Sequence, residues 1–126
     1  MSHRISSRMI AALLACCAFL GAARAVAAEA VARLDGLPAP VLVNQFYECL
    51  LLVTDADGAG LPGLRLQIRG RMPEHAHGLP TAPRISEESG GRYRIKGLSF
   101  NMPGRWVIEI LRDGKPLLRQ ELTVQF

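Results

Sequence analysis

Residues 105–124, Arg105-Trp106-Val107-Ile108-Glu109-Ile110-Leu111-Arg112-Asp113-Gly114-Lys115-Pro116-Leu117-Leu118-Arg119-Gln120-Glu121-Leu122-Thr123-Val124, hold two alternating runs around an Asp-Gly pair. Trp106, Ile108 and Ile110 alternate with Arg105, Val107 and Glu109. Leu118, Leu122 and Val124 face away from Arg119, Glu121 and Thr123. Successive side chains of a strand point to opposite faces, so a period of two marks a strand with one face buried. Asp-Gly supplies the positive φ angles of a tight hairpin, which makes these two strands antiparallel neighbours.

The same period recurs upstream. Leu64, Leu66 and Ile68 alternate with Arg65, Gln67 and Arg69, and Tyr93 and Ile95 alternate with Arg92, Arg94 and Lys96. In Phe46–Val53 one face holds Tyr47, Cys49, Leu51 and Val53, and the other holds Glu48, Leu50 and Leu52. That pattern fits a strand covered on both sides for part of its length. A short strand is expected at Ala30–Leu34, followed by a proline-containing connection.

Turn signals separate these runs: Asp57-Gly58, Pro62-Gly63, Gly90-Gly91 and Pro103-Gly104. Pro103-Gly104 suits the centre of a type II turn, and the acidic pair Glu87-Glu88 is placed in the turn before Gly90-Gly91. Gly-Leu-Pro occurs three times, at Gly36, Gly60 and Gly78, but at unequal intervals, so it is reused loop chemistry and not a repeat. No segment after residue 28 has a convincing helical period. Short strands at regular spacing predict an all-β, immunoglobulin-like antiparallel sandwich of about seven strands. Its expected core is Leu51, Val53, Leu66, Ile68, Tyr93, Ile95, Trp106, Ile108, Leu122 and Val124.

The first 28 residues read as a cleavable secretory signal peptide. Arg4 and Arg8 precede an apolar run, Met9–Leu20, and then a small-residue stretch, Gly21–Ala28. The apolar run is shorter than the about 20 residues that a bilayer requires. Cleavage is expected after Ala27 or Ala28, which leaves no transmembrane helix and places the product in the periplasm. A lipoprotein anchored through Cys16 is the weaker reading, because Leu14 is bulky for a lipobox. Residues 29–45 then form an N-terminal segment with one strand, and residues 46–126 the sandwich.

Signal removal changes the charge argument. Three of the fifteen Lys and Arg (Arg4, Arg8, Arg24) and none of the eleven Asp and Glu lie in the signal, so the net charge falls from +4 to +1. Such a chain has no positive field to attract nucleic acid. Cys16 and Cys17 leave with the signal, so Cys49 has no partner for an internal disulfide. It lies in an apolar strand and is expected to be buried and inert.

The stretch Arg71-Met72-Pro73-Glu74-His75-Ala76-His77-Gly78 carries the candidate chemistry. Extended backbone would put both imidazoles on one side, with Glu74 pointing away, and the prolines favour extension. Thioether with imidazole suits copper better than magnesium or calcium. Met102 is a second thioether, so Met72, His75, His77 and Met102 form a candidate metal set. A third nitrogen or thiolate for zinc is not evident nearby. The competing reading is a loop that only carries the chain across the end of the sandwich. Arg65, Arg69, Arg92, Arg94 and Lys96 would merge into a basic patch if their strands paired, or else form a solvated outer face. Ser86, Ser89 and Ser99 lack a histidine in a recognisable motif, and no phosphate loop is present, so the chain does not read as an enzyme.

Met72-Pro73-x-His75-x-His77-Gly78 … Pro83, then Gly91-Arg92-Tyr93 and Phe100-Asn101-Met102-Pro103-Gly104-x-Trp106, resembles the YtkA-like domain of exported bacterial proteins. Val53-Thr54-Asp55-x-Asp57-Gly58 … Leu61-Pro62-Gly63-Leu64 is similar to the first hairpin of that domain, and the likeness covers roughly residues 46–124. The resemblance implies a small immunoglobulin-like sandwich outside the cytoplasm, in which the two Met/His blocks converge. It also implies the company of copper-handling or respiratory-assembly proteins, with copper as the bound metal. A structural or protein-interaction module of the envelope without metal is the alternative.

Overall fold

The computed structural model describes residues 29–126; the expected signal peptide and the lipobox at Cys16 lie outside the described residues. Eight strands follow in order: β1 (Val31–Asp35), β2 (Val41–Leu42), β3 (Tyr47–Thr54), β4 (Leu66–Arg71), β5 (Arg84–Ser89), β6 (Arg92–Leu98), β7 (Gly104–Arg112) and β8 (Lys115–Gln125). They form two four-stranded sheets, β1-β3-β6-β5 and β2-β8-β7-β4. All pairings are antiparallel except the two-residue contact of β2 with β8. No helix occurs among the described residues. The expected immunoglobulin-like sandwich is the fold.

The β7–β8 hairpin has the expected centre. Trp106 pairs with Leu122 and Ile110 with Leu118, and Asp113 and Gly114 both take positive φ (48° and 77°), as a type I′ turn requires. Of the expected core, Leu51, Val53, Tyr93, Ile95, Trp106, Ile108 and Val124 are buried. Leu66, Ile68 and Leu122 pack against it while partly exposed. Phe100 meets Trp106 edge-on, with ring centroids 5.2 Å apart, an arrangement the aromatic quadrupole favours. Val107 and Leu111 are buried although they point to the outer side of β7. Val107 lies in register between Arg71 and Glu121, where a long arginine stem can cover apolar surface and keep its charge in water.

Three expectations need correction. Glu87 and Glu88 belong to strand β5, not to a turn. Ile85 is its one apolar residue, so the alternation is faint. The strand is held by its ladder with β6 and by the ion pair of Glu88 with Arg94. The five cations do not merge into one patch, because Arg65 and Arg69 border or belong to β4 while Arg92, Arg94 and Lys96 lie on β6 of the other sheet. Arg94 is bracketed by Glu88 and Glu48 (2.6 Å), which holds the Glu88 carboxyl below its usual range. The Pro-containing connection before β3 also contributes β2, beside the last residues of β8.

Tyr93 connects the sheets at one end. Its hydroxyl donates to Leu61 O (2.6 Å) and accepts from Leu64 N–H (3.2 Å). The loop so held crosses the β5–β6 turn at a point where only glycine fits. A Cβ on Gly91 would lie 2.6 Å from Gly60 Cα, and Gly91 also has φ +82°. Tyr93→Phe removes both hydrogen bonds and strands two backbone groups. It should cost about 1–3 kcal/mol in urea unfolding and speed exchange of the Leu64 amide. An unchanged midpoint and unchanged exchange would show that this hydroxyl does not hold the loop.

Candidate functional site

The Met/His loop closes β4 at the end of the sandwich away from the Asp113-Gly114 turn. Its backbone is a tight turn and not the extended segment that the prolines suggest. His75 N–H donates to Met72 O (3.1 Å), Met72 N–H reaches His77 O (3.5 Å), and Arg71 bridges to Gly78. Pro73 occupies the second position of this turn, where a φ near −65° is favourable. The fold brings the imidazoles together by curling the chain: their ring centroids lie 5.8 Å apart. Glu74 does point elsewhere, to Arg105 at 3.6 Å.

The two histidines differ in setting. His75 is exposed. His77 leans on the edge of Trp106, with centroids 5.8 Å apart at 71°. Its Nε2 is shut off from solvent and has no hydrogen-bond partner among the described residues. A buried ring nitrogen usually finds a partner, because leaving it unpaired costs about 1–3 kcal/mol. Met72 is buried. Its methyl occupies space that a side chain on Gly104 would fill, since a Cβ there would come within 2.9 Å of Met72 Cε. Gly104 also has φ +129°. Met102 is partly buried on the same end, and its carbonyl accepts the Trp106 indole N–H (2.9 Å).

All four candidate residues therefore lie at one end of the sandwich, with His77 and the Met102 carbonyl against the indole of Trp106. The imidazoles of His75 and His77 are neighbours, Met72 sits beneath Gly104, and Met102 is tied in through its backbone. Sequence reasoning placed Gly104 and Trp106 in the second Met/His block but gave neither a contact with the first. Pro103-Gly104 signalled a turn, and the close approach of the Met72 methyl to Gly104 has no signal in the sequence. No group of three or more His, Cys, Asp or Glu able to hold a metal exists among the described residues, so a metal here depends on thioether sulfur. Cys49 is buried, and desolvation, with help from Glu48, pushes its thiol up to about 11. It is an inert thiol.

A second feature lies on one flank, where the edge strands β4 and β5 end their sheets side by side. Between them is a cleft of about 610 Å³, lined by Leu64, Leu66, Gln67, Ile85 and Tyr93 among others. A smaller hollow of about 310 Å³ continues it past Ile68, Arg69 and Pro83.

No family model matches the chain, and no curated protein does. Solved structures do match. The chain is similar to the Lin-41 filamin domain, with 13% identity, a TM-score of 0.58, and coverage of 75% of this chain and 91% of that one. It is similar to the adhesin InvE of Yersinia pseudotuberculosis, with 17% identity, a TM-score of 0.58 and 75% of this chain covered. It is also similar to the Escherichia coli adhesin FdeC, with 21% identity, a TM-score of 0.58 and 74% covered. The match spans only 25% and 30% of the two adhesin chains. These likenesses establish the immunoglobulin-like fold.

His77→Leu should leave the metal-free protein as stable as the wild type, or stabilise it by about 1 kcal/mol, because it removes an unpaired buried nitrogen. A loss above about 2 kcal/mol in thermal or urea unfolding would show that the imidazole serves the fold.

Proposed function

We propose that this chain is a non-enzymatic interaction module of the cell envelope. The supporting observation is the fold. A similar sandwich occurs as part of two bacterial adhesins, and this chain has an open flank where two sheet edges face a cleft. The basic, apolar and small segments at the start of the sequence support export. Among the described residues no helix is long and apolar enough to cross a membrane. Photo-crosslinking amino acids at Gln67 (flank), Phe46 (Met/His end) and Leu52 (outer face of β3) test this in the expressing cell. Protein adducts are expected, concentrated at Gln67. A chain that reaches the envelope and yields no adduct from any position is not an interaction module.

The unpaired Nε2 of His77 favours a second activity of the same module, uptake of copper at the Met/His end. An imidazole pair with centroids 5.8 Å apart can converge on one ion through metal–nitrogen bonds of about 2.0–2.1 Å. Met72 and Met102 supply soft sulfur that selects Cu(I). In this reading the chain is a carrier or accessory to a copper-handling or respiratory-assembly protein, as the YtkA-like motifs imply. Titration with Cu(I) against a competing chelator should show one bound ion and quench the fluorescence of Trp106, the single tryptophan. His75→Ala with His77→Ala, and separately Met102→Leu, should weaken binding at least about tenfold, or roughly 1.4 kcal/mol. Binding no tighter than the chelator, or indifferent to these changes, rejects copper and leaves the interaction module standing.

A further inference from the structure

We infer that the cleft between β4 and β5 takes an extended peptide of alternating apolar and acidic residues, added as a strand to the free edge of β4. This rests on the reading of the chain as an interaction module and assigns it a surface and a partner chemistry.

The hydrogen bonds of β4 decide which of its backbone groups are free. Asp113 N–H donates to Arg65 O, so Arg65 and Asp113 form a hydrogen-bonded pair of the β4–β7 ladder. Bonded and non-bonded pairs alternate in an antiparallel ladder. Arg65, Gln67, Arg69 and Arg71 thus turn their backbone groups toward β7, and Leu64, Leu66, Ile68, Gly70 and Met72 turn theirs away. The outward groups at both ends are already engaged or covered. Leu64 N–H goes to the Tyr93 hydroxyl and Met72 N–H to His77 O. Gly70 is covered by Leu79, which a Cβ there would strike at 2.6 Å. Leu66 and Ile68 remain, with no partner for their outward backbone groups among the described residues. The edge is capped at both ends and open in the middle.

An unpaired edge is a template for another strand, and natural edges are usually blocked by charge, proline or a covering loop. Here the open stretch lies beside the cleft, and the side chains of Leu66, Ile68 and Ile85 are only partly buried there. A strand laid along β4 would place every second side chain between the sheets, against these three. Its other side chains would lie next to Arg65, Gln67 and Arg69 on the outer face, where opposite charges on neighbouring strands attract. Arg65 makes no ion pair among the described residues, although Asp113 lies opposite it in the ladder, and Arg69 meets Glu109 only at 4.0 Å. The acids on the flank are Glu87, whose carboxylate accepts Gly63 N–H (3.0 Å), and Asp113 in the hairpin turn. Both lie at the Leu64 end, so acidic side chains are favoured toward Arg69. Backbone pairing supplies the register, and alternation with charge supplies the selectivity.

The test uses the protein as purified from expressing cells and three acetylated and amidated heptapeptides. One alternates Val with Glu, one alternates Val with Lys, and one carries the Val/Glu composition in blocks. Binding is followed by amide chemical shifts and hydrogen exchange. The alternating Val/Glu peptide should bind and protect the Leu66 and Ile68 amides, with the other two at least about tenfold weaker. Arg65→Glu with Arg69→Glu should reverse the preference between the acidic and basic peptides by about tenfold each way, a readout that mere unfolding cannot produce. Equal binding of alternating and blocked peptides overturns the proposal, as does protection at β1 or at the Phe46 end. Self-association of the chain through β4 that excludes the peptides also overturns it. Crosslinks at Phe46 or Leu52 without peptide binding to β4 would retain the interaction module and discard this surface.

Discussion

The indole N–H of Trp106 must find an acceptor inside a buried core, and it finds the carbonyl of Met102. That one requirement arranges the end of the sandwich. Met102 is drawn in from the turn before β7, and Phe100 is set edge-on to the indole. The remaining side of the indole is left for His77. Gly104 follows from the same geometry. The turn that returns the chain from Met102 to Trp106 needs a positive φ, and the side chain absent there leaves room for the Met72 methyl. A hydrogen bond that stabilises the core thus also fixes the Met102 backbone beside the indole face that His77 covers.

The fold was legible because its strands announce themselves by alternation against arginine-rich outer faces. Trp106, Ile108 and Ile110 could be assigned to the core from sequence because Arg105 and Glu109 mark the other side. Val107 and Leu111 could not be. They are buried on the outer face of a strand flanked by β4 and β8, a tertiary effect with no local signature. β5 escaped because one isoleucine among polar residues gives no period; the strand exists through its partner β6. The candidate site was legible as a set of residue types but not as a geometry. Prolines suggested extended backbone, and the Met72–His75 hydrogen bond closed a turn that no spacing rule required. The open edge of β4 depends on which strands end their sheets, and topology of that kind is not written in any one segment.

The two proposed surfaces lie at different points along β4. The Met/His loop lies at the end where β4 finishes and β7 begins. The cleft opens on the flank and reaches toward the Asp113-Gly114 end, where Tyr93 holds the loop before β4. A strand bound to β4 and an ion bound at the loop would share Gly70 and Leu79 as their nearest common ground.

The first and last long strands run in the same direction. Val31 of β1 lies beside Thr54, near the Tyr93 end, while Val124 at the close of β8 pairs with Gly104 at the Met/His end. The chain thus enters at one pole and leaves at the other. Tension applied between these poles would run along the strands and load the β1–β3 and β7–β8 ladders in shear, so that many hydrogen bonds share the force instead of parting one by one.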